Sequence, residues 1–496
     1  MGILGLDIGT SGTRAVLIDD AGQLAATETA DHPPFSSPMP GWAEQPPDDW
    51  WDASVEVIGK ILRSHPADQI AAIGLTGQMH GSVLLDRVHR PLRPALLWCD
   101  QRTEKQCNEV TEKVGAASLI EMVSNPAITG FTLPKLLWVR ENEPEIWSRV
   151  TSVLLPKDYI RFRLSGDLAG DVTDASGTLL FDVRHRRWSG EMAPLLEIDP
   201  GILPKIYESV EVTGTVSRLA AEATGLKYGT PIVAGAGDNA AGAIGMGVTR
   251  PGTVSCTIGT SGVVFGVTDA PRLDPKGRIH TLCHAVEGRW HNTGVTLAAG
   301  LSLKWFKQNF GGNRSYEELL SEAAKAPSGS GGVIWLPYLM GERSPPLDPN
   351  ATAAFVEMNA GHSTAHLARA VLEGVAFSLR ESLEIFHKLG AEAKNIRLGG
   401  RGATSPLWCA IQSDAYGKAV EILAADEGAA FGAALLASVG IGRWATVDEA
   451  CEATIDVDER FEPDPANVET MNRQFEKYRR LYPLLKGLSD DQEQVR

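Results

Sequence analysis

The sequence contains no CxxC pair, and its six cysteines, Cys99, Cys107, Cys256, Cys283, Cys409 and Cys451, are scattered with no metal-like spacing against histidine. That pattern excludes a zinc ribbon and a disulfide framework, and it predicts ordinary reduced thiols. Basic side chains are the minority, 46 against 62 acidic ones, for a formal net charge of -16. A nucleic-acid or anionic-membrane binder needs the opposite balance, so a small-molecule partner is expected. Long hydrophobic runs are missing as well. The N-terminal run GILGLDIG has no basic lead and is cut by Asp7, and residues 429–442 form an Ala- and Gly-rich stretch shorter than the roughly 20 residues a membrane span needs. A cytoplasmic protein is therefore expected. Neither GxxxxGK[ST] nor a strand-to-helix GxGxxG occurs, which argues against a P-loop NTPase and a Rossmann dehydrogenase.

What is present begins with length: 496 residues, 43% hydrophobic and 22% charged, predict a globular chain of about two to four domains. An internal repeat organises it. LDIGTSGTRAVLID near the start and CTIGTSGVVFGV near the middle share the core IGTSG, beginning at Ile8 and again at Ile258, with matching hydrophobic flanks. The duplicated strand, Gly/Thr/Ser turn and strand predict two domains on one plan facing a shared cleft. Between the copies, apolar runs such as AAIGLTG and PIVAGAG alternate with helical stretches such as TLPKLLWVREN, which predicts an α/β architecture. The Gly/Ala-rich segment GAGDNAAGAIGMG suggests a boundary near Ala241, dividing the chain into 1–241 and 242–496. The last eleven residues, 486–496, are polar and predict a frayed tail.

The chemistry is concentrated in a few places. A strand stopping at Asp7 and turning through Gly9, Thr10, Ser11 and Gly12 exposes backbone N–H groups able to cradle phosphate oxygens. Asp7 would then be a ligand, direct or through water, for the Mg²⁺ that accompanies ATP. A plain β-turn is the competing reading, but the second copy at Gly259–Gly262 weighs against it. Two facing phosphate turns in a duplicated chain characterise ATPases of the actin, hexokinase and Hsp70 type, with ribonuclease H-like domains. Asp238, placed at the C-terminal end of the strand PIVAGAG, could take the proton of a hydroxyl attacking a γ-phosphate. The alternative is that it caps the helix beginning at Asn239.

From end to end the chain resembles the FGGY family of carbohydrate kinases. DIGTSGTRAVLID opens it, GFTLPKLLWVREN resembles the first family signature, and GAGDNAAGAIGMG resembles the catalytic segment. LPYLMGERSPPLDPNA, HLARAVLEGVAFSLRE, LGGRGATSPLW and DEGAAFGAALLA extend the match. LTGQMHGSVLLD, ALLWCDQRT and CHAVEGRWHNTG resemble the subgroup that acts on the ketopentose xylulose. The resemblance implies Asp238 as general base, Asp7 as second essential carboxylate and Mg²⁺ site, and Met79, His80, Asp238 and Asn239 as sugar contacts. For ATP it implies Gly9, Thr10, Ser11 and Arg14 in the first turn, Gly259 and Thr260 in the second, and Gly300, Gly402 and Ala403 around the nucleoside. Trp98, Asp100 and Arg102 lie in a family motif that reads equally well as core and ion pair. The implied partners are a sugar and ATP, with a homodimer as the assembly and no nucleic acid or membrane. A kinase for ribulose, gluconate or another polyol, and a non-catalytic actin-like ATP switch, are the alternatives. Two departures stand out: Glu357 and Met358 replace a usual Gly-Leu or Gly-Ile pair, and Arg401 breaks a usual run of three glycines.

Overall fold

Each IGTSG copy closes a β-hairpin at the centre of its own sheet, as the repeat predicts. The computed structural model describes residues 1–425 and 428–493. The first sheet comprises β1 (Gly2–Ile8), β2 (Gly12–Ile18), β3 (Leu24–Asp31), β4 (Ile70–Gly77), β5 (Val212–Thr215), β6 (Pro231–Val233) and β7 (Ala236–Gly237). Its spatial order is β5-β6-β4-β1-β2-β3, and β7 also pairs with β4. β1, β2 and β3 are antiparallel, whereas β4 runs parallel to β1, β6 and β7. The second sheet comprises β8 (Thr253–Ile258), β9 (Gly262–Thr268), β10 (His280–Cys283), β11 (Trp290–Thr296), β12 (Asn395–Gly400), β13 (Val420–Leu423) and β14 (Val457–Phe461), in the order β10-β11-β9-β8-β12-β13-β14. Its core β11-β9-β8-β12-β13 repeats the orientation of β3-β2-β1-β4-β6 strand for strand. This is the duplicated α/β plan of the actin, hexokinase and Hsp70 type.

Helices cover the sheets by burying apolar faces. In α1 (Pro47–Leu62), Trp50, Ser54, Val57, Ile58 and Ile61 recur at helical spacing and are buried. Proline at the first position and Asp48 and Asp49 in the first turn favour its N-terminus. Each large aliphatic side chain so buried contributes roughly 1.5–3 kcal/mol. TLPKLLWVREN forms α2 (Thr132–Asn142) as expected, followed by α3 (Pro156–Ser165) and α4 (Asp238–Gly245). In the second half come α5 (Thr364–Lys388), α6 (Gly428–Gly440) and α7 (Pro465–Glu493). Among the described residues no helix is long and apolar enough to cross a membrane.

Two helices tie the halves together. α6 follows β13 in sequence yet lies on β1 and β4 of the first sheet, and it packs on α4. Small residues permit this. A Cβ on Gly5 would stand 1.9 Å from the Ala430 carbonyl oxygen, one on Gly74 1.9 Å from that of Ala433, and one on Gly432 1.9 Å from that of Ala241. α4 in turn sends Ala243 into a cluster with Phe265 and Val267 of β9. Ala241, the expected boundary, is buried in the middle of α4.

Three sequence expectations need correction or limits. PIVAGAG is two short strands, β6 and β7, because Gly235 takes φ +72 and passes so near Leu75 that a Cβ would lie 1.9 Å from its carbonyl oxygen. The strand therefore ends at Gly237, and Asp238 opens α4. The predicted frayed tail is instead helix through Glu493; Lys486 is anchored 3.0 Å from Asp348, and residues 494–496 lie outside the described residues. Asp426 and Glu427, which open the family-like DEGAAFGAALLA, also lie outside them. All six cysteines are free.

Because no side chain can be inserted between α4 and α6, Gly432→Ala should destabilise the protein by about 1–3 kcal/mol. The control is Gly59→Ala in α1, where a Cβ meets nothing within 4 Å and the gain in helix propensity should be roughly 0.5–1 kcal/mol. Thermal midpoints moving the same way in both variants would contradict the packing described.

Candidate active site

The C-terminal ends of three neighbouring strands converge. Asp7, Thr76 and Ala236 lie in one row across β1, β4 and β7, and Ile8, Gly77 and Gly237 in the next. Asp238 follows at once, as the first residue of α4. Its carboxylate accepts the Asn239 backbone N–H at 2.7 Å and the Asn239 amide at 3.3 Å. Asp238 is thus the first residue of α4, whose N-cap is Gly237 with no side-chain cap bond, so its carboxylate is not the helix cap of the alternative reading. Asn239 reaches Met79 Sδ at 3.9 Å, and a Cβ on Gly237 would stand 2.8 Å from Met79 Cγ. Met79, Asp238 and Asn239 are therefore brought together.

His80 joins them in an unusual conformation, with φ +68. Its carbonyl accepts hydrogen bonds from Lys135 Nζ at 2.9 Å and Thr132 Oγ1 at 3.2 Å, both on α2. Its ring packs on Phe131, with centroids 4.7 Å apart. Nδ1 lies 2.9 Å from the Gly177 carbonyl oxygen. A carbonyl can only accept, so Nδ1 carries the proton and Nε2 presents a lone pair. Gly177 must be glycine here, because a Cβ would lie 2.4 Å from His80 Cε1. Burial, reinforced by the Lys135 charge, lowers the imidazole pKa to about 3, so His80 is neutral. Lys135 itself is pulled down to about 7 by burial, against the attraction of Asp100. The signature segment around α2 thus holds the His80 carbonyl through two donors. Phe131, Thr132 and Lys135 are not among the expected site residues; Lys135, a buried lysine in the apolar first turns of α2, is the signal that points to them.

The first Gly/Thr/Ser turn is closed by its own backbone, with Gly9 N–H donating to Gly12 O at 3.0 Å. Gln78 Nε2 donates to Gly9 O at 3.1 Å, and Trp98 Nε1 donates to Thr10 Oγ1 at 3.0 Å. The Gly9 N–H is thus taken up within the turn, Thr10 is half-buried against Trp98, and Ser11 is exposed at the tip. Trp98 is 42% exposed, but Asp100 and Arg102 are buried partners, linked at 2.7 Å, with the guanidinium 3.6 Å over Trp42. Of that motif only Trp98 reaches the site.

The second turn closes one residue tighter, Gly259 N–H donating to Ser261 O at 2.9 Å. It is stitched to the helix Gly300–Phe310 by Gly300 N–H to Gly259 O at 3.0 Å and Leu301 N–H to Thr260 O at 3.1 Å. A cavity of about 670 Å³ opens there, lined among others by Gly259, Thr260, Gly300, Tyr316, Arg401 and Trp408. Gly402 lies buried beneath the lining against Ile258, and Ala403 is half-buried on the core. The other departures, Glu357 and Met358, are at the surface, where Glu357 pairs with Lys477 at 2.7 Å.

Electrostatics single out the two carboxyls at the strand ends. Burial lifts the Asp238 pKa to about 7, and the negative charge of Asp7 adds to the rise. Burial lifts Asp7 to about 6, opposed by Arg14, its register partner on β2. Asp7 Oδ1 is buried without a hydrogen-bond partner, which suits a carboxylate that has a cation to ligate. The second carboxylate group, Asp158, Asp171 and Asp174, could by spacing hold a metal. Lys157 Nζ already stands among them, 2.5 Å from Asp158 and from Asp171 and 3.5 Å from Asp174.

Residues 2–245 match the N-terminal domain of the FGGY family of carbohydrate kinases, and residues 254–441 match its C-terminal domain. The xylulose kinase of Bacillus subtilis (strain 168) is 38% identical over 489 residues, covering 98% of each chain. A xyloylose kinase from Brucella ovis superposes with a TM-score of 0.93 at 35% identity, over 98% of this chain and 100% of the other. Gluconate kinase from Lactobacillus acidophilus reaches the same TM-score of 0.93 at 26% identity, over 98% of both chains.

If the two strand-end carboxyls interact as described, Asp7→Asn should lower the Asp238 pKa by removing the neighbouring negative charge. Carboxyl-carbon NMR titration of both proteins checks this, and an unmoved Asp238 titration would contradict the coupling.

Proposed function

The chain belongs to the FGGY family of carbohydrate kinases, and from that premise we propose that it transfers the γ-phosphate of Mg-ATP to the 5-hydroxyl of D-xylulose, giving D-xylulose 5-phosphate. One observation carries the reading. A carboxyl with its pKa lifted to about 7 stands at the strand ends beside Met79 and Asn239, where a hydroxyl could be held and deprotonated. The similarity to a xylulose kinase across 98% of the chain supports the choice of sugar.

Phosphoryl transfer leaves the protein mainly positioning and charge neutralisation to do. In this reading Asp238 takes the proton of the attacking hydroxyl, and its raised pKa suits a base that works near neutrality. His80 Nε2 accepts from a sugar hydroxyl, the Asn239 amide adds donors, and Met79 supplies an apolar wall. Asp7 would hold Mg²⁺, directly or through water, and the ion supplies positive charge to the transferring phosphoryl group. Thr10, Ser11 and Arg14 serve the phosphates from the first half; Gly259, Thr260 and Gly300 do so from the second. Arg401 borders the cavity proposed for the nucleoside.

We keep the functional division at Ala241, with the sugar residues in 1–241 and the nucleotide cavity in 242–496. A homodimer is proposed on the family resemblance, and a single-chain mass by light scattering would refute it. Cytoplasmic location is proposed on six free thiols, and a secreted native protein would refute it. The second reading, a kinase for ribulose, gluconate or another polyol, is favoured by the equal superposition on a gluconate kinase. A coupled ADP-release assay over ketoses and polyols separates the readings: D-xylulose should give the highest kcat/KM. No sugar-dependent ADP release anywhere in the panel would leave the ATP switch.

Asp238→Asn keeps shape and hydrogen bonding but cannot accept the proton, so kcat should fall by about 10²–10⁴ while sugar binding survives. In the unmodified enzyme kcat/KM should climb with pH through about 7 and level off above, because the unprotonated carboxylate is the working form. Near wild-type turnover in the variant would sink the assignment. For Arg401→Gly, the KM for ATP should rise about two- to five-fold with kcat and the sugar KM unchanged, as suits a partly exposed contact of roughly 0.5–1 kcal/mol. An unchanged ATP KM would return Arg401 to the solvated surface.

A further inference from the structure

Beneath the strand ends lies a chain of buried polar groups that reaches Gly237. Lys157 Nζ is 2.5 Å from Asp171 Oδ2. Asp171 Oδ1 caps the short helix Val172–Ala175, accepting the Thr173 backbone N–H at 2.8 Å and the Thr173 hydroxyl at 2.5 Å. Having donated its only proton, that hydroxyl can act toward other groups only as an acceptor. It accepts the N–H of Gly237 at 2.9 Å. Gly237 is the last residue of β7 and the N-cap of α4, so its peptide sets where Asp238 begins. Lys157, Asp171 and Thr173 are all buried, and Gly77 rests on the Lys157 stem, where an added Cβ would lie 3.3 Å from Lys157 Cβ. None of these side chains reaches the substrate side, and none was singled out from the sequence.

We propose that Thr173 is a positioning residue for the base: its hydroxyl, oriented by Asp171 and through it by Lys157, fixes the Gly237 peptide and so the placement of Asp238. The proposal rests on the reading of Asp238 as the base. A donor acting through an ionised partner gives a short, directional bond, and a base displaced by a fraction of an ångström loses its alignment with the hydroxyl proton long before sugar affinity is lost. The Asp174 carboxyl, buried without a hydrogen-bond partner and 3.5 Å from Lys157 Nζ, takes no part in the chain to Gly237.

The test uses the full-length enzyme with D-xylulose and Mg-ATP. Thr173→Val keeps the shape and removes the acceptor, whereas Thr173→Ser keeps the hydroxyl. In the valine variant kcat should fall about 10- to 100-fold with the sugar and ATP KM values within about threefold of wild type. Serine should restore kcat to within about threefold. Amide exchange at Gly237 should accelerate with valine and recover with serine. Should the valine variant not fold, Thr173→Cys, a near match in size with a poor acceptor, gives the same comparison. A folded valine or cysteine variant turning over within about twofold of wild type, a loss that serine does not repair, or a loss carried by sugar KM alone would overturn the proposal. An inactive Asp238→Asn beside a normal Thr173→Val removes only the positioning role. A fully active Asp238→Asn removes the base itself.

Discussion

The close approach of α6 to β1, β4 and α4 is the constraint on which the rest of the molecule depends. Three glycines and their alanine neighbours place backbone on backbone there, with no room for a methyl group at Gly5, Gly74 or Gly432. A contact of this kind gains little from interlocking side chains and much from dispersion over a smooth surface. Smooth surfaces of small residues are suited to small sliding motions between packed elements. Since α4 carries Asp238 at its first turn and packs on α6, any closure of the two halves reaches the strand ends directly through this junction.

The site stores free energy in its charges. Asp7 and Asp238 have pKa values raised to about 6 and about 7 by burial, well above the ordinary carboxylate range. With folded values above unfolded ones, their contribution to stability is fully present below about pH 4 and is lost as pH rises through 6 and 7. At neutral pH the empty protein therefore bears a cost at both groups, which a cation beside Asp7 would offset. Lys157 settles the neighbouring cluster differently. Its own pKa is raised, since three carboxylates outweigh the burial that opposes them, whereas Asp174 is pushed well above its ordinary value by that same burial. The polar groups are thus divided between a balanced layer below the strand ends and an unbalanced pair at the strand ends themselves.

Much of this was legible in the sequence because repeated local chemistry left a repeated pattern. The IGTSG copies located both hairpins, periodicity found α2 to the residue, and a carboxylate flanked by small residues pointed to Asp238. What was missed depended on partners distant in sequence. Thr173 and Gly237 are 64 positions apart, and the bond between them leaves no periodicity. Gly177 reads as an ordinary turn glycine until the His80 ring is placed against it. The break in PIVAGAG was hidden because Gly235 suits a strand as well as a kink, and only the approach to Leu75 decides it. The polar C-terminus read as a tail because composition alone does not register the anchoring of Lys486 and Tyr482 on Asp348.

The exchange of α6 also bears on how the chain acquires its structure. The face of the first sheet between β1 and β4 stays uncovered until residues 428–440 arrive, so the N-terminal half cannot finish its core during most of synthesis. Contacts spanning more than 400 positions are entropically costly to close and are made late. The halves are therefore partners in folding as well as in the site, and the glycine-lined seam can close only once residues 428–440 have been made.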